Sequence, residues 1–403
     1  MTIKHTHIIL LVIFVVRILC TFLIDKTPCM EPSYYLQGKC IVQDNCDILY
    51  LSSLYSILIY LLSTLFNSSF LASSIIFIIS STIVSIYLYL ISTRLFGEKA
   101  AVLCLLFSVF YPNLTVSIAG YSHTVMIGNA FEFAAIYYLL RFFKQNTYVR
   151  LFGIFLLVIT AIFIRPEMVL VLLPFYIALF IYEYTVSGNV SLKLILQSVL
   201  FYLLIFSSVY MHKIFVHSNS KNKETAGIFS DNQYSYYTFI HTYSLRYKNV
   251  IDTDTAITVS EPFIGSPSEN RFSISKAIFK NPKQFISNIT YNCKELLDYF
   301  AHPLFVPFYF YFFIGLLLYR NERKDLSAFL LLGILIVLHI IPLIIFHVEI
   351  RYLQSISILI LLFVGVGASR LEMNKFLLYT FVFLTFVIFT IYLINNRSVG
   401  SLC

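Results

Sequence analysis

Apolar residues run through this chain in long blocks, and polar residues interrupt them at intervals of about 20, the length of a helix that crosses a bilayer. The first block extends from about His7 to Ile24, and a polar stretch follows at residues 25–50. Leu51 to Phe66 is apolar but short, and Asn67-Ser-Ser69 breaks it. Leu71–Ser92, Ala101–Ala119, Thr124–Leu140, Leu151–Ile164, Met168–Tyr182 and Leu192–Phe215 come next, separated by charged or turn-forming residues. Residues 216–300 are polar and mixed in charge, with Pro262, Pro267 and Pro282 punctuating short helices. Further blocks at Pro303–Tyr319, Leu326–Phe346, Tyr352–Ser369 and Phe376–Ile394 complete the pattern. It predicts an all-α integral membrane protein.

Composition agrees. The 403 residues are 59% hydrophobic and only 12% charged, against roughly 25% charged in soluble domains. The net charge of +8 is therefore read as basic cytoplasmic loops and not as a nucleic-acid footprint. Those loops fix the topology. If Leu51–Phe66 is left out as a span, Lys4, Arg94, Lys99, Arg141, Lys144, Arg150, Lys193, Arg320, Arg323, Lys324, Arg370 and Lys375 fall on one side, the cytoplasm. Counting it as a span would turn these loops outward. Leu51–Phe66 is thus expected to lie in the interface or to be re-entrant, as its length allows.

The expected architecture has about 11 transmembrane helices, interfacial helices in the first outer loop, and a helical extracytoplasmic loop domain. Residues 1–215 form an N-terminal transmembrane module whose first outer loop is 25–70; 216–300 form the outer loop region; 301–403 form C-terminal transmembrane helices. The N-terminus is expected in the cytoplasm. No cleavable signal is expected there, since the run from Ile8 to Ile24 can span and no small-residue cleavage site follows. The protein is expected to be a multi-pass protein of the plasma (inner) membrane if bacterial, or of the endoplasmic reticulum if eukaryotic.

This topology gathers the chemistry on one side. The first loop brings Glu31, Asp25, Asp44 and Asp47, and span ends bring Arg165 and Arg351. Tyr35, His123 and Glu349 are candidate substrate-binding groups on the same side. A carboxylate can take a proton from an incoming hydroxyl, and arginines can hold a phosphate and stabilise it as it leaves. A phosphate at a membrane surface points to a lipid-linked sugar. Each group also has a plainer role: Glu31 as a solvated acid, Arg165 as a helix-end anchor, Glu349 and Arg351 as a mutual pair. Glu132, inside a span, is a functional candidate by position or a partner for a hydrogen bond between helices near Asn129. Cys29, Cys40 and Cys46 sit in the outer loop, where disulfides form; Cys29–Cys40, Cys40–Cys46 and a bond to Cys293 are the alternatives. Asn288-Ile-Thr290 is a glycosylation sequon. No cofactor is predicted, and divalent-metal dependence stays open.

Four stretches carry a resemblance: Glu31-Pro-Ser-Tyr-Tyr35 with Leu54-Tyr-Ser-Ile-Leu58 and Leu65-Phe66; Arg94-Leu-Phe-Gly-Glu-Lys-Ala-Ala101 with Phe110-Tyr-Pro-Asn113; Arg165-Pro-Glu167; and Glu349-Ile-Arg351-Tyr-Leu353 before Gly365-Val-Gly367. In order and spacing they resemble the GT-C superfamily of integral-membrane glycosyltransferases, in the branch of the protein O-mannosyltransferases and the aminoarabinose transferase (glycosyltransferase family 39-like). The resemblance implies transfer of a sugar from a polyprenyl-phosphate donor to a lipid, glycan or protein acceptor at the extracytoplasmic face, with inversion. It implies Glu31 as catalytic base, with Asp25, Asp44 and Asp47 as alternates, and Arg165 and Arg351 as ligands of the donor phosphate. Two departures stand out. Members usually show Asp or Asp-Glu where Glu31 stands, and many have an acid where this chain has His123-Thr-Val125. The protein-modifying members of that family often carry a soluble domain after the last span; none is expected here, which favours a lipid or glycan acceptor. The competing readings are a transporter or flippase for lipid-linked sugars and a glycan polymerase or ligase.

Overall fold

The computed structural model describes residues 3–24, 31–43, 53–109, 111, 114, 122–142, 148–165, 168–187, 192–218, 236, 239–240, 253–300, 308–309, 311–313, 323–345, 350–370, 384 and 387. The helices are α1 (Ile3–Ile24), α2 (Glu31–Val42), α3 (Ser53–Phe66), α4 (Ser69–Phe96), α5 (Glu98–Ser108), α6 (Ser122–Phe142), α7 (Tyr148–Ile164), α8 (Val169–Ser187), α9 (Leu192–Ser218), α10 (Thr253–Ile264), α11 (Ile274–Lys280), α12 (Pro282–Phe300), α13 (Arg323–Ile345) and α14 (Ile350–Arg370). No strand occurs among the described residues. The blocks expected at 303–319 and 376–394 fall largely outside them.

Two helices among the described residues are long and apolar enough to cross a membrane, Ser69–Phe96 and Leu192–Met211, with shorter apolar helices beside them. The second buries Leu194, Gln197, Phe201 and Ile205 on one side and exposes Ile195, Leu196, Val199, Leu203 and Phe206 on the other. A row of exposed apolar side chains this long calls for an apolar surrounding.

Helix α4 is the hub, packing against α1, α3, α5 and α6. Its buried face is lined by serines, Ser73, Ser74, Ser80, Ser81, Ser85 and Ser92. Small side chains let neighbouring backbones approach, and several hydroxyls bond back to their own helix, such as Ser81 to Ile78 O at 3.1 Å and Thr82 to Ile78 O at 2.7 Å. The junction before it is sharp. Asn67 adopts a left-handed conformation (φ 52°), which asparagine tolerates at a helix end, and the Ser68 hydroxyl accepts from Leu71 N–H at 3.2 Å to cap α4. Gly97, at φ 90°, makes the turn into α5.

Helix α3, 14 residues or about 21 Å long, is shorter than the roughly 30 Å hydrocarbon core. It forms a hairpin with α2 that rests on α4 and α7. Tyr55 and Ile59 of α3 meet Ile76, Ile127 and Ile164, with Tyr35 of α2 packed against them. The two helices cross at Gly38, where an added Cβ would come within 2.0 Å of the Ser56 carbonyl oxygen. Cys40, in α2, is disulfide-bonded; its partner lies outside the described residues, while Cys293 is a free thiol. The alternative that paired Cys293 is thereby removed.

Helix α14 is the most enclosed, with every residue from Leu353 to Ala368 buried. It packs on α5 at Gly365, whose added Cβ would meet Ala100 O at 2.6 Å. Phe107 and Tyr111, at the end of α5, contact Phe308 and Tyr311 edge-on or tilted at 5.0 to 6.3 Å.

Within 216–300 a small cluster of Tyr236, Phe239, Ile240, Ile264 and Ala277 packs together. Asn270 ties it, donating to Tyr236 Oη at 2.6 Å and to Ile264 O at 2.8 Å. Beside it the Lys280 ammonium bonds Glu269 and, with the Ser266 N–H, holds its carboxyl below the usual carboxylate range. Asn288, the sequon residue, is buried in α12, which removes it as a glycosylation acceptor.

Candidate active site

Of the predicted site residues, Arg165 and Tyr35 have side chains among the described residues, and Arg165 lies just past the end of α7. Its N–H donates to Ala161 O at 2.8 Å, the last bond of α7, and its own carbonyl accepts from Met168 N–H at 2.9 Å. Pro166 follows, and a residue before proline resists continuing a helix. The chain therefore leaves the helix at this arginine.

The side chain turns back into the protein and is 5% exposed. It lies across α6 where residue 128 is glycine: an added Cβ there would sit 2.5 Å from Arg165 Cδ. Its Nη1 donates to Asn129 Oδ1 at 3.3 Å. The same oxygen accepts from Ser355 Oγ of α14 at 2.7 Å, so both its lone pairs are used. Asn129 Nδ2 is buried with no hydrogen-bond partner. Asn129 is thus the knot that joins the end of α7 to the first turns of α14.

Arg351 precedes Ser355 by four residues, one helical turn along α14. Arg165 and the turn that carries Arg351 are therefore tied to one asparagine. The placement of the Arg351 side chain lies outside the described residues.

Three residues beyond Asn129, Glu132 is fully buried, and its Oε1 is 2.8 Å from His339 Nε2 of α13. The approach is not along a hydrogen-bonding direction, so it is a contact of charge and dipole and not an aligned hydrogen bond. His339 Nδ1 lies 2.8 Å from Leu335 O and donates to it in the tautomer that leaves Nε2 as acceptor; with both nitrogens protonated, the pair becomes an ion pair.

The other predicted residues are placed more coarsely. Glu31 opens α2 and His123 lies in the first turn of α6, both as backbone only. Tyr35 packs its ring 5.6 Å from Tyr60 of α3. Asp25, Asp44, Asp47 and Glu349 lie outside the described residues.

Sequence reasoning singled out Arg165 and weighed Asn129 only as a partner for Glu132. It passed over Ser355, His339 and Arg17. Arg17 lies inside the first apolar block and is wholly buried. Its Nη2 donates to Ser85 Oγ at 2.7 Å and its Nη1 to Thr82 Oγ1 at 3.3 Å. An arginine within an apolar run was the available signal.

No curated protein matches the chain. A sequence model of the dolichyl-phosphate-mannose-protein mannosyltransferase family matches residues 53–212, from α3 to within α9. The matched segment contains Gly128, Asn129, Glu132 and Arg165. With the apolar helices it indicates a membrane protein, and it supports a GT-C-like glycosyltransferase.

Proposed function

We propose that the protein transfers a sugar from a polyprenyl-phosphate donor to an acceptor at the extracytoplasmic membrane face, with inversion. The observation that carries this reading is the Asn129 knot, which ties the buried Arg165 to the end of α14 where Arg351 begins. A phosphate needs such a site: guanidinium groups gathered at helix ends, where they can hold its oxygens in a two-pronged geometry. The unpartnered Asn129 Nδ2 offers one more donor. The Cys40 disulfide supports an oxidising compartment on the α2 side, the side on which positive charge in the opposite loops places the first loop. The same topology makes the chain multi-pass, with its N-terminus in the cytoplasm and 216–300 outside. The membrane is the plasma (inner) membrane in a bacterium and the endoplasmic reticulum in a eukaryote.

In this mechanism Glu31, or one of Asp25, Asp44 and Asp47, takes the proton of the acceptor hydroxyl. The acceptor oxygen attacks the anomeric carbon from the face opposite the phosphate. The bond from that carbon to the phosphate oxygen breaks, and the polyprenyl phosphate leaves with the electron pair. Arg165 and Arg351 stabilise its growing charge. Tyr35, His123 and Glu349 are the groups assigned in this reading to contact the sugar or the acceptor.

The buried Glu132–His339 pair favours a second reading, a transporter of lipid-linked sugars, because titratable pairs inside a bilayer also serve proton-coupled movement. One assay separates the two. Purified protein in vesicles receives polyprenyl-phosphate sugars and acceptors of each class. The wild type should transfer sugar, and Glu31→Gln should lower the rate by about 100-fold or more with unchanged thermal unfolding. Full activity in that variant moves the base to Asp25, Asp44 or Asp47. Labelled lipid that crosses the bilayer without any transfer establishes the transporter.

A further inference from the structure

Helix α12 carries two exposed apolar residues, Ile286 at 62% and Leu297 at 68%, and Phe279 just before it is exposed at 80%. Ile286 and Leu297 are eleven residues apart, about three turns, so they share one edge of the helix. A lysine stands three residues before each, Lys283 before Ile286 and Lys294 before Leu297, and both lysines are exposed. The pair of lysine and apolar residue is thus repeated on one edge. Glu295 and Tyr291 lie on the other edge of the helix, and Asp298 follows Lys294 by one turn and borders the lysine edge. Between the edges, Asn288, Asn292 and Leu296 face the protein and are buried.

The attachment point fixes the level of this helix. Asn292 Nδ2 donates to Ile344 O at 2.9 Å, one residue before α13 ends. Below that point α13 exposes Leu330, Ile334, Val337 and Ile341 in a helical stripe, an apolar face of the kind that meets lipid chains. Among the described residues Ile341 is the last exposed member of the stripe, one turn before Ile344. Helix α12 is therefore fixed where the hydrocarbon gives way to headgroups. At that level an edge of apolar side chains and lysines has a defined partner: the apolar groups enter the acyl boundary and the ammonium groups reach anionic phosphates.

We propose that the Lys283–Ile286–Lys294–Leu297 edge of α12, with Phe279 beside it, docks on the headgroup layer of the bilayer through anionic phospholipid. This goes beyond the catalytic reading and does not depend on it, because none of these residues belongs to the Arg165 knot. It makes α12 the strut that holds the 253–300 helices against the membrane.

The chain has no tryptophan, so one introduced tryptophan reports alone. Full-length Ile286→Trp, Leu297→Trp and Tyr291→Trp proteins are placed in vesicles whose acyl chains carry bromine, a short-range quencher. The expected result is blue-shifted emission from Ile286→Trp and Leu297→Trp, quenched roughly twofold more than Tyr291→Trp. Quenching of Leu297→Trp should deepen when phosphatidylglycerol replaces part of the phosphatidylcholine. Adding Lys283→Gln and Lys294→Gln should abolish that increment. Equal emission and quenching at all three positions overturns the docking. So does shielding of Leu297→Trp that depends on protein-to-lipid ratio, which marks a second copy as the occupant. An increment that survives loss of both lysines overturns the role of anionic lipid. The lysine variant without tryptophan gives an independent check: loosened α12 should exchange its amides faster, and unchanged exchange in anionic vesicles counts against the strut.

Discussion

The protein buries two arginines among its described residues, Arg17 and Arg165, and holds them differently. Arg17 lies in the middle of α1, against hydroxyls of α4. Ser85 continues to Ser108, oxygen to oxygen at 3.2 Å, and Ser108 is the last residue of α5, where helix carbonyls carry partial negative charge. Among the described residues no carboxylate pairs with it. Arg165 lies at the end of a helix, folded over a glycine and tied to an asparagine that a second helix also holds. Burial of a cation is common to both and so identifies neither as functional. What differs is the place. Arg165 stands where the chain leaves its helix, next to the turn that bears Arg351. Arg17 stands in the span, surrounded by hydroxyls and a helix terminus that answer its charge from within.

The largest effect should come from Arg165→Ala. If this guanidinium holds the leaving phosphate, its loss removes stabilisation that grows in the transition state, and sugar transfer should fall by about 100-fold or more. Thermal unfolding is measured beside it, and a melting temperature near wild type assigns the loss to the reaction. Lysine at the same position restores charge but not the two-pronged geometry, and activity should lie between. Equal transfer by alanine variant and wild type would reduce Arg165 to an anchor like Arg17.

A smaller effect is expected from Gly128→Ala. The new methyl would come within 2.5 Å of Arg165 Cδ, so the arginine must move while its charge remains. Displacement on the ångström scale costs about tenfold or more in rate. The signature is a raised KM for the donor with KM for the acceptor unchanged. If both constants stay at wild-type values, the arginine does not need its position over α6, and the comparison loses its geometric half.

The helical apolar blocks, the break at Asn67 and Ser68, and the shortness of Leu51–Phe66 were legible because each rests on local chemistry: apolar runs, a capping serine, and the length of an apolar run. Arg165-Pro166 was legible for the same reason, since proline marks the helix end. The knot was not. Asn129 and Ser355 are 226 positions apart, and nothing local in either predicts the other. Gly128 had no signal of its own, because a glycine inside a helix can mean many contacts. His339 was hidden in an apolar block, and only its approach to Glu132 gives it meaning. The charge pattern along the sequence predicts that the α7 and α14 ends share one side, and the Asn129 contact joins those two helix ends.

Arg17→Met tests the other half of the comparison and should have the smallest effect. Methionine fills the apolar part of the arginine site and needs no partner. The hydroxyls around it do not become orphans: Thr82 keeps its bond to Ile78 O, Ser108 keeps Leu105 O at 2.7 Å, and Ser85 keeps Ser108. Arg17 Nε, by contrast, is buried without a partner in the native protein, so the substitution removes an unmet demand. Replacing a buried charged group with an apolar one of similar volume is neutral to stabilising. Stability should therefore stay level or rise by about 1 kcal/mol, and transfer should stay within about twofold of wild type. A collapse of transfer at unchanged melting temperature would place Arg17 in the reaction and end the distinction. A large loss of stability would show instead that the cation binds α1 to the end of α5 more tightly than its neutral partners indicate.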